Sequence, residues 1–186
     1  MDLVSLIQQR VSCPVVEEPG PSASQLDAMF RAALRAPDHG NLKPWRFLVV
    51  EGEARAKLGE LFLQAALAKD PALVPPLQEK MRNMPLRAPT LVVVIARLQQ
   101  HPKVPLVEQQ VAAGAAAQNI LLAAHGLGLG AMWRTGDMAY NPDVMRGLGL
   151  AENEEIIGFV YLGSRPAKTR NAPALDPADF VEQWRG

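Results

Sequence analysis

The chain has 186 residues, 48 % of them apolar and 20 % charged, with a formal net charge of zero. That describes one ordinary globular domain with a substantial core, and with no basic excess it excludes a dedicated nucleic-acid or anionic-membrane binder, leaving room only for a local basic patch. Cys13 is the single cysteine, so neither an internal disulfide nor a cysteine-based zinc site is available, and the residue reads as a small buried side chain.

The chain opens with "MDLVSLIQQR". Asp2 stands where a signal peptide carries positive charge, and the apolar run is short and broken, so a cytoplasmic protein is expected. Leu3, Leu6 and Ile7 share one face of a short helix predicted over residues 2–10. Ser24 is the expected N-cap of a helix from Gln25 to Arg35, with Asp27 in a variant capping box. Pro37 disfavours a helical Ala36 and is expected to end that helix. The connection that follows, "APDHGNLKP", packs Asp38, His39, Asn41 and Lys43 between two prolines. It is either a solvated turn or a site held on a stiff loop.

"WRFLVV" reads as a strand, and its continuous apolar character predicts burial on both faces. Helices are predicted over residues 53–69 and about 73–83, then a strand in "APTLVVVIAR", introduced by Pro89. The longest helix is expected over 106–125. It is alanine-rich, and Glu108 is its only formal charge apart from a proton on His125, which predicts a central helix or one at a subunit interface. Gly126 is the expected left-handed cap. The run Val111 to Gly130 is about long enough to span a bilayer. It contains Gln118, Asn119, His125 and four glycines, and reads instead as a buried helix and turn. "AMWRTG" and "EIIGFVYLG" read as strands, Pro142 to Leu148 as a short helix, and the tail as ending in a helical turn near Trp184. Without repeats, linkers or βαβ alternation, this is an α+β chain forming one domain over residues 1–186.

Catalytic signals are sparse. His39, His101 and His125 have no metal-ligand spacing, and no nucleophile elbow, P-loop or carboxylate pair is present. "GLGLG" follows a helix rather than opening one, so it is not a dinucleotide fingerprint. Three polar clusters stand where elements end: Arg10 to Ser12, Arg35 to Lys43, and Trp133 to Thr135. Arginines, hydroxyls and an aromatic face together suit a ligand with a phosphate, a polyol and a planar ring. The alternative is a set of solvated charges at helix ends.

"QQRVS", "RAPDHGNLKPWRFLVV", "MWRTG" and "IIGFVYLG" follow in the order and spacing of the nitroreductase family. The whole chain resembles its compact YdjA-like subgroup of FMN-dependent oxidoreductases. The resemblance implies an α+β nitroreductase-like fold, with a central, mostly antiparallel sheet flanked by helices. It also implies an intertwined homodimer with FMN at the subunit interface, and NADH or NADPH as donor to a small electron acceptor. No nucleic acid or membrane is implied as partner.

By the same resemblance, Arg10, Val11 and Ser12 grip the phosphate and ribityl end. Arg35 and His39 reach the FMN from the partner, and Trp133, Arg134 and Thr135 line the flavin and its phosphate. The subgroup often has a second arginine where this chain has Val11. Lys168 or Arg170 matches a basic residue after the last strand. Ala123, Ala124, His125, Gly126, Leu127 and Gly128 correspond to a region implicated in nicotinamide nucleotide binding. No metal and no catalytic side chain is implied, because the flavin carries the chemistry. Two rivals remain: a flavin-binding carrier or sensor with little turnover, and a non-flavin helical dimerisation module.

Overall fold

The computed structural model describes residues 2–168 and 170–186. Its centre is a sheet of β1 (Trp45–Glu51), β2 (Thr90–Arg97), β3 (Leu129–Arg134) and β4 (Glu154–Ser164), in the order β1-β2-β4-β3 with every neighbouring pair antiparallel. The sheet is flanked by α1 (Leu3–Gln9), α2 (Ala23–Ala33), α3 (Ala54–Lys69), α4 (Pro75–Asn83), α5 (Leu106–Gly126) and α6 (Pro142–Gly147). The expected α+β class and antiparallel sheet are present.

β2 and β4 are central because their β-branched and aromatic runs are buried on both faces. Helices α2 and α5 pack with Val92, Val94, Val160 and Leu162 on one face. Helix α3 covers Leu91, Val93, Phe159 and Tyr161 on the other, where Phe62 meets Phe159 edge to face at 5.4 Å. β1 departs from the sequence expectation. It is an edge strand, and although Trp45 and Val50 are buried, Val49 is 43 % exposed. A neighbour along one side only leaves its outer margin uncovered.

Three helix ends differ from the sequence reading. The N-cap of α2 is Ser22, not Ser24: the Gln25 backbone N–H donates to Ser22 Oγ, and the Ser22 N–H to Gln25 Oε1. That is a full capping box, and Asp27 instead pairs with Arg31 one turn on. The helix ends at Ala33 in a turn before Pro37. At the end of α5, Gly126 is still helical, and Gly128 takes the left-handed conformation at φ 76°. Gly126 serves packing, since a Cβ there would meet Leu6 of α1 at 3.0 Å. The tail has a 3₁₀ turn at Pro177–Asp179 but no helix near Trp184, which is 92 % exposed.

Helix α5 buries Ala112, Ala113, Ala116, Ala117, Ile120 and Ala124, while Val107 and Val111 on its other side are exposed. Among the described residues, no helix is long and apolar enough to cross a membrane.

Candidate functional site

The polar clusters read from the sequence are spread along α5: Arg10 to Ser12 near its C-terminal end, the Trp133 ring against Gly114 within it, and His39 beside Glu108 at its N-terminal end. At its C-terminal end lies a cleft of about 680 Å³, lined among others by Gln9, Val11, His125, Gly126, Arg165 and Arg170. Beside it is a smaller cavity of about 240 Å³, lined by Ser12, Cys13, Pro14, Lys168 and Arg170. Arg170 borders both cavities, so they form one basic region.

The segment carrying Arg10 to Ser12 leaves α1 and joins the margin of β3, where the Cys13 N–H donates to Ala131 O at 2.9 Å. This brings Arg134, at the end of β3, to Pro14: Arg134 Nη2 donates to Pro14 O at 2.9 Å. The Arg134 guanidinium also lies 5.4 Å from the Tyr161 ring centroid. Tyr161 is buried, and that burial pushes its phenol above the ordinary range. Trp133 is fixed next door, its Nε1–H donating to Ile157 O at 3.2 Å. Thr135 follows in an exposed position.

Three buried side-chain donors in this region have no hydrogen-bond partner: Arg10 Nη1, Arg134 Nε and Arg165 Nε. Among the described residues, they are the buried side-chain polar atoms left unsatisfied, and all belong to guanidinium groups. Buried donors are normally paired, because leaving one unmade costs about 1–3 kcal/mol. Arg10 and Arg165 both lie beside His125, and their unpaired donors suit an anion with several acceptor oxygens, whereas Arg134 stands by Pro14 and Tyr161.

His125 completes the cleft. Arg165 Nη2 donates to His125 Nδ1, which leaves the ring hydrogen on Nε2. Burial first, then the Arg165 and Arg10 guanidinium groups, hold its imidazole below the usual histidine range. Ala124 is fully buried in the core, so its side chain does not reach the cleft, whereas Gly126 and Gly128 line it.

Arg35 and His39 lie elsewhere. Arg35 is exposed in the turn after α2, and His39 is at the other end of α5, where Nδ1 lies 2.7 Å from Glu108 Oε2. The single chain therefore does not bring the second predicted cluster to the first and third. Sequence reasoning missed Arg165 and Glu108. Arg165 immediately follows β4, closer than the lysine and arginine considered for that part. Glu108 was visible as the one formal charge of α5, but nothing local tied it to His39. Among the described residues, no three His, Cys, Asp or Glu side chains converge to hold a metal.

The nitroreductase family model matches residues 7–164. The chain is 38 % identical to the Escherichia coli (strain K12) protein named "Putative NAD(P)H nitroreductase YdjA", over 97 % of this chain and 98 % of that one. A crystal structure of a nitroreductase-like family protein from Bacillus cereus superposes with a TM-score of 0.85 at 24 % identity, over 100 % of this chain and 97 % of that one. A Bacteroides fragilis nitroreductase with bound FMN superposes at 0.75 and 24 % identity, over 100 % of both chains.

Proposed function

This chain belongs to the nitroreductase family, and from that premise we propose that it is an FMN-dependent NAD(P)H oxidoreductase, one FMN-binding domain over residues 1–186 acting as a cytoplasmic homodimer. The observation that carries this reading is the pair of buried, unpartnered guanidinium nitrogens on Arg10 and Arg165, both beside His125 at the cleft. A phosphate monoester supplies the charge and acceptor oxygens these donors lack, and guanidinium groups match it bidentately. The Bacteroides fragilis neighbour holds FMN, and the Escherichia coli relative carries NAD(P)H in its name.

In this reading Arg10 and Arg165 bind the phosphate, with Lys168 or Arg170 beside them. Ser12 and the backbone of Val11 meet the ribityl chain. Trp133, Arg134 and Thr135 bound the flavin ring. Trp133 is anchored to Ile157 and keeps its indole in one orientation. Arg35 and His39 contribute from the partner subunit. The nicotinamide nucleotide approaches past Ala123 and the His125 to Gly128 segment, with the Ala124 side chain taking no part.

Bound FMN supplies the two-electron chemistry, from NAD(P)H to an electron-poor acceptor such as a nitroaromatic or quinone. The protein's own groups bind, orient and exclude water, which fits a site with no acid–base dyad beside the basic cluster. Donor and acceptor use one pocket in turn, so the kinetics are ping-pong.

The test is a visible absorption spectrum of the purified protein, before and after anaerobic addition of NADH or NADPH. Flavin bands that bleach support the reading and identify the nucleotide. Flavin bands inert to both leave a carrier or sensor. No bands after reconstitution with FMN remove the site.

A further inference from the structure

The loop between α2 and β1 holds three residues in the left-handed region: Gly40 at φ 75°, Asn41 at φ 56° and Lys43 at φ 50°. Two of them are not glycine, so the backbone is strained there. The loop keeps that shape because it is tied down at several points. Asp38 Oδ1 accepts from the Leu42 N–H at 2.6 Å, and the Trp45 N–H donates to Lys43 O at 2.8 Å. Gly40 is also close to Val104, which a Cβ would meet at 3.3 Å.

This tied loop presents His39 to Glu108, with Nδ1 and Oε2 2.7 Å apart. Glu108 stands in the first turn of α5, where a carboxylate is favoured by the helix dipole. Its backbone is fixed by a helix whose alanine face is locked in the core. The two side chains border a pocket of about 470 Å³ with an apolar wall of Val107, Val111, Ala112 and Ala115. Asp38 is the other ionisable group lining it, and one of its oxygens already serves Leu42.

We propose that Glu108 is a positioning residue for His39. It fixes the imidazole with its hydrogen on Nδ1, and leaves Nε2 as the ring atom that meets bound cofactor. The inference rests on the FMN reading above. A carboxylate only accepts, so Nδ1 is the donor of this bond. A free neutral imidazole prefers its hydrogen on Nε2, and Glu108 inverts that preference. Nε2 then offers a lone pair. FMN carries matching donors in its ribityl hydroxyls and its ring imide N–H. Without Glu108 the ring is free to turn and to carry its hydrogen on Nε2, which removes the acceptor offered to the cofactor. His39 is 54 % exposed, and this is the side-chain bond that holds it.

A plain surface ion pair would leave both the tautomer and the cofactor untouched, which separates the two roles. The experiment is ¹⁵N NMR of the His39 ring in the FMN-loaded protein at about pH 8, above the usual histidine range, with FMN titrations of the same variants. The wild type is expected to show the Nδ1–H tautomer, and Glu108→Leu to shift toward Nε2–H. FMN Kd should rise about tenfold in Glu108→Leu and in His39→Ala, with the double variant no worse than either. Non-additivity of that kind marks residues acting as one unit. Glu108→Gln keeps an acceptor oxygen and should recover most of the affinity. An unchanged tautomer in Glu108→Leu, or losses that simply add, overturns the inference. Arg10→Ala is the control. If it alone weakens FMN binding, the role of Glu108 falls while the FMN site stands. If none of the three substitutions matters, the FMN site falls as well.

Discussion

Glu108 and His125 lie at opposite ends of α5, about 25 Å apart at roughly 1.5 Å of rise per residue. Glu108 holds His39, and His125 sits with Arg10 and Arg165. The span is longer than FMN, which fits the proposed reading that one chain supplies only one of these groups to a given cofactor. A second copy placing its His39 end against the basic cleft would supply the other. The exposed Val107 and Val111 give α5 an apolar face suited to that contact. Light scattering should therefore give a mass near twice 20.2 kDa, with one FMN per chain. Val111→Asp places a charge on a residue already 67 % exposed in the single chain, so the fold should survive. Loss of both the dimer and FMN, with unchanged far-UV circular dichroism, is the expected outcome. A monomeric Val111→Asp protein that binds FMN normally would exclude the shared site.

Arg10 makes opposite demands on the empty and the loaded protein. Its buried Nη1 lacks a partner among the described residues, a cost of about 1–3 kcal/mol. Arg10→Ala removes that cost along with the phosphate contact. FMN affinity should fall by about 1.5–3 kcal/mol, as for a lost charge-assisted hydrogen bond, while the apoprotein melts no lower than wild type. Flavin fluorescence titration and apoprotein melts measure the two effects separately. Unchanged affinity removes Arg10 from the site. An apoprotein that loses as much stability as the holoprotein gives it a purely structural role.

Elements were legible where a local pattern decides them. The β-branched run Thr90–Arg97 and the long, alanine-rich, charge-poor run of α5 declare themselves by composition and length, and α3 by a long run of helix formers without Gly or Pro at its ends. Ends were less legible. Ser22 and Ser24 are both good caps, and only the reciprocal bond to Gln25 separates them. Gly126 and Gly128 are also alike in sequence, but the approach of Leu6 keeps the first helical and leaves the turn to the second. The edge position of β1 depends on strand order, which its own residues do not encode. The basic clusters were visible as residue types, and the resemblance supplied their roles. The joining of Arg165 to His125, and of His39 to Glu108, spans 40 and 69 residues and comes only with tertiary structure.

Trp133 lies across Gly158, where the register between β2 and β4 shifts. A Cβ at Gly158 would collide with the Trp133 indole nitrogen. Gly158→Ala should push the indole away from Ile157 O and cost about 1–3 kcal/mol, as overpacking does. Trp133→Ala removes the side-chain part of the obstacle and leaves the Arg134 carbonyl oxygen, which that Cβ would meet at 2.9 Å. The glycine substitution should therefore be less costly, though not free, in a Trp133→Ala background, as chemical denaturation of the four proteins would show. Equal cost in both backgrounds would mean that the backbone at 158, and not the indole, requires glycine. In the holoprotein the same displacement should weaken FMN binding, since Trp133 borders the proposed flavin site.

Glu154 opens the central strand β4, opposite Arg97 of β2, and is tied to β1 by Arg46. Arg46 donates to both its oxygens at 2.9 and 2.6 Å, Arg97 lies 3.5 Å away, and its side chain is 7 % exposed. The Arg46 hydrogen bonds first, then the Ala151 N–H and the two positive charges, hold its carboxyl below the ordinary value of 4.5 against the opposing effect of burial. A depressed folded value means that the unfolded chain binds the proton more readily. The stabilisation is thus fully present above about pH 4.5 and is lost as pH falls through the folded value. Glu154→Gln should cost about 1.5–3 kcal/mol at neutral pH, because Arg46 keeps its burial and loses its charge partner. The gap between wild type and variant should narrow progressively below that pH. Urea denaturation of both proteins from pH 7 down to about pH 3 reads this directly. A gap that stays constant over the range would show that the glutamate contributes through shape and neutral hydrogen bonding rather than through its charge.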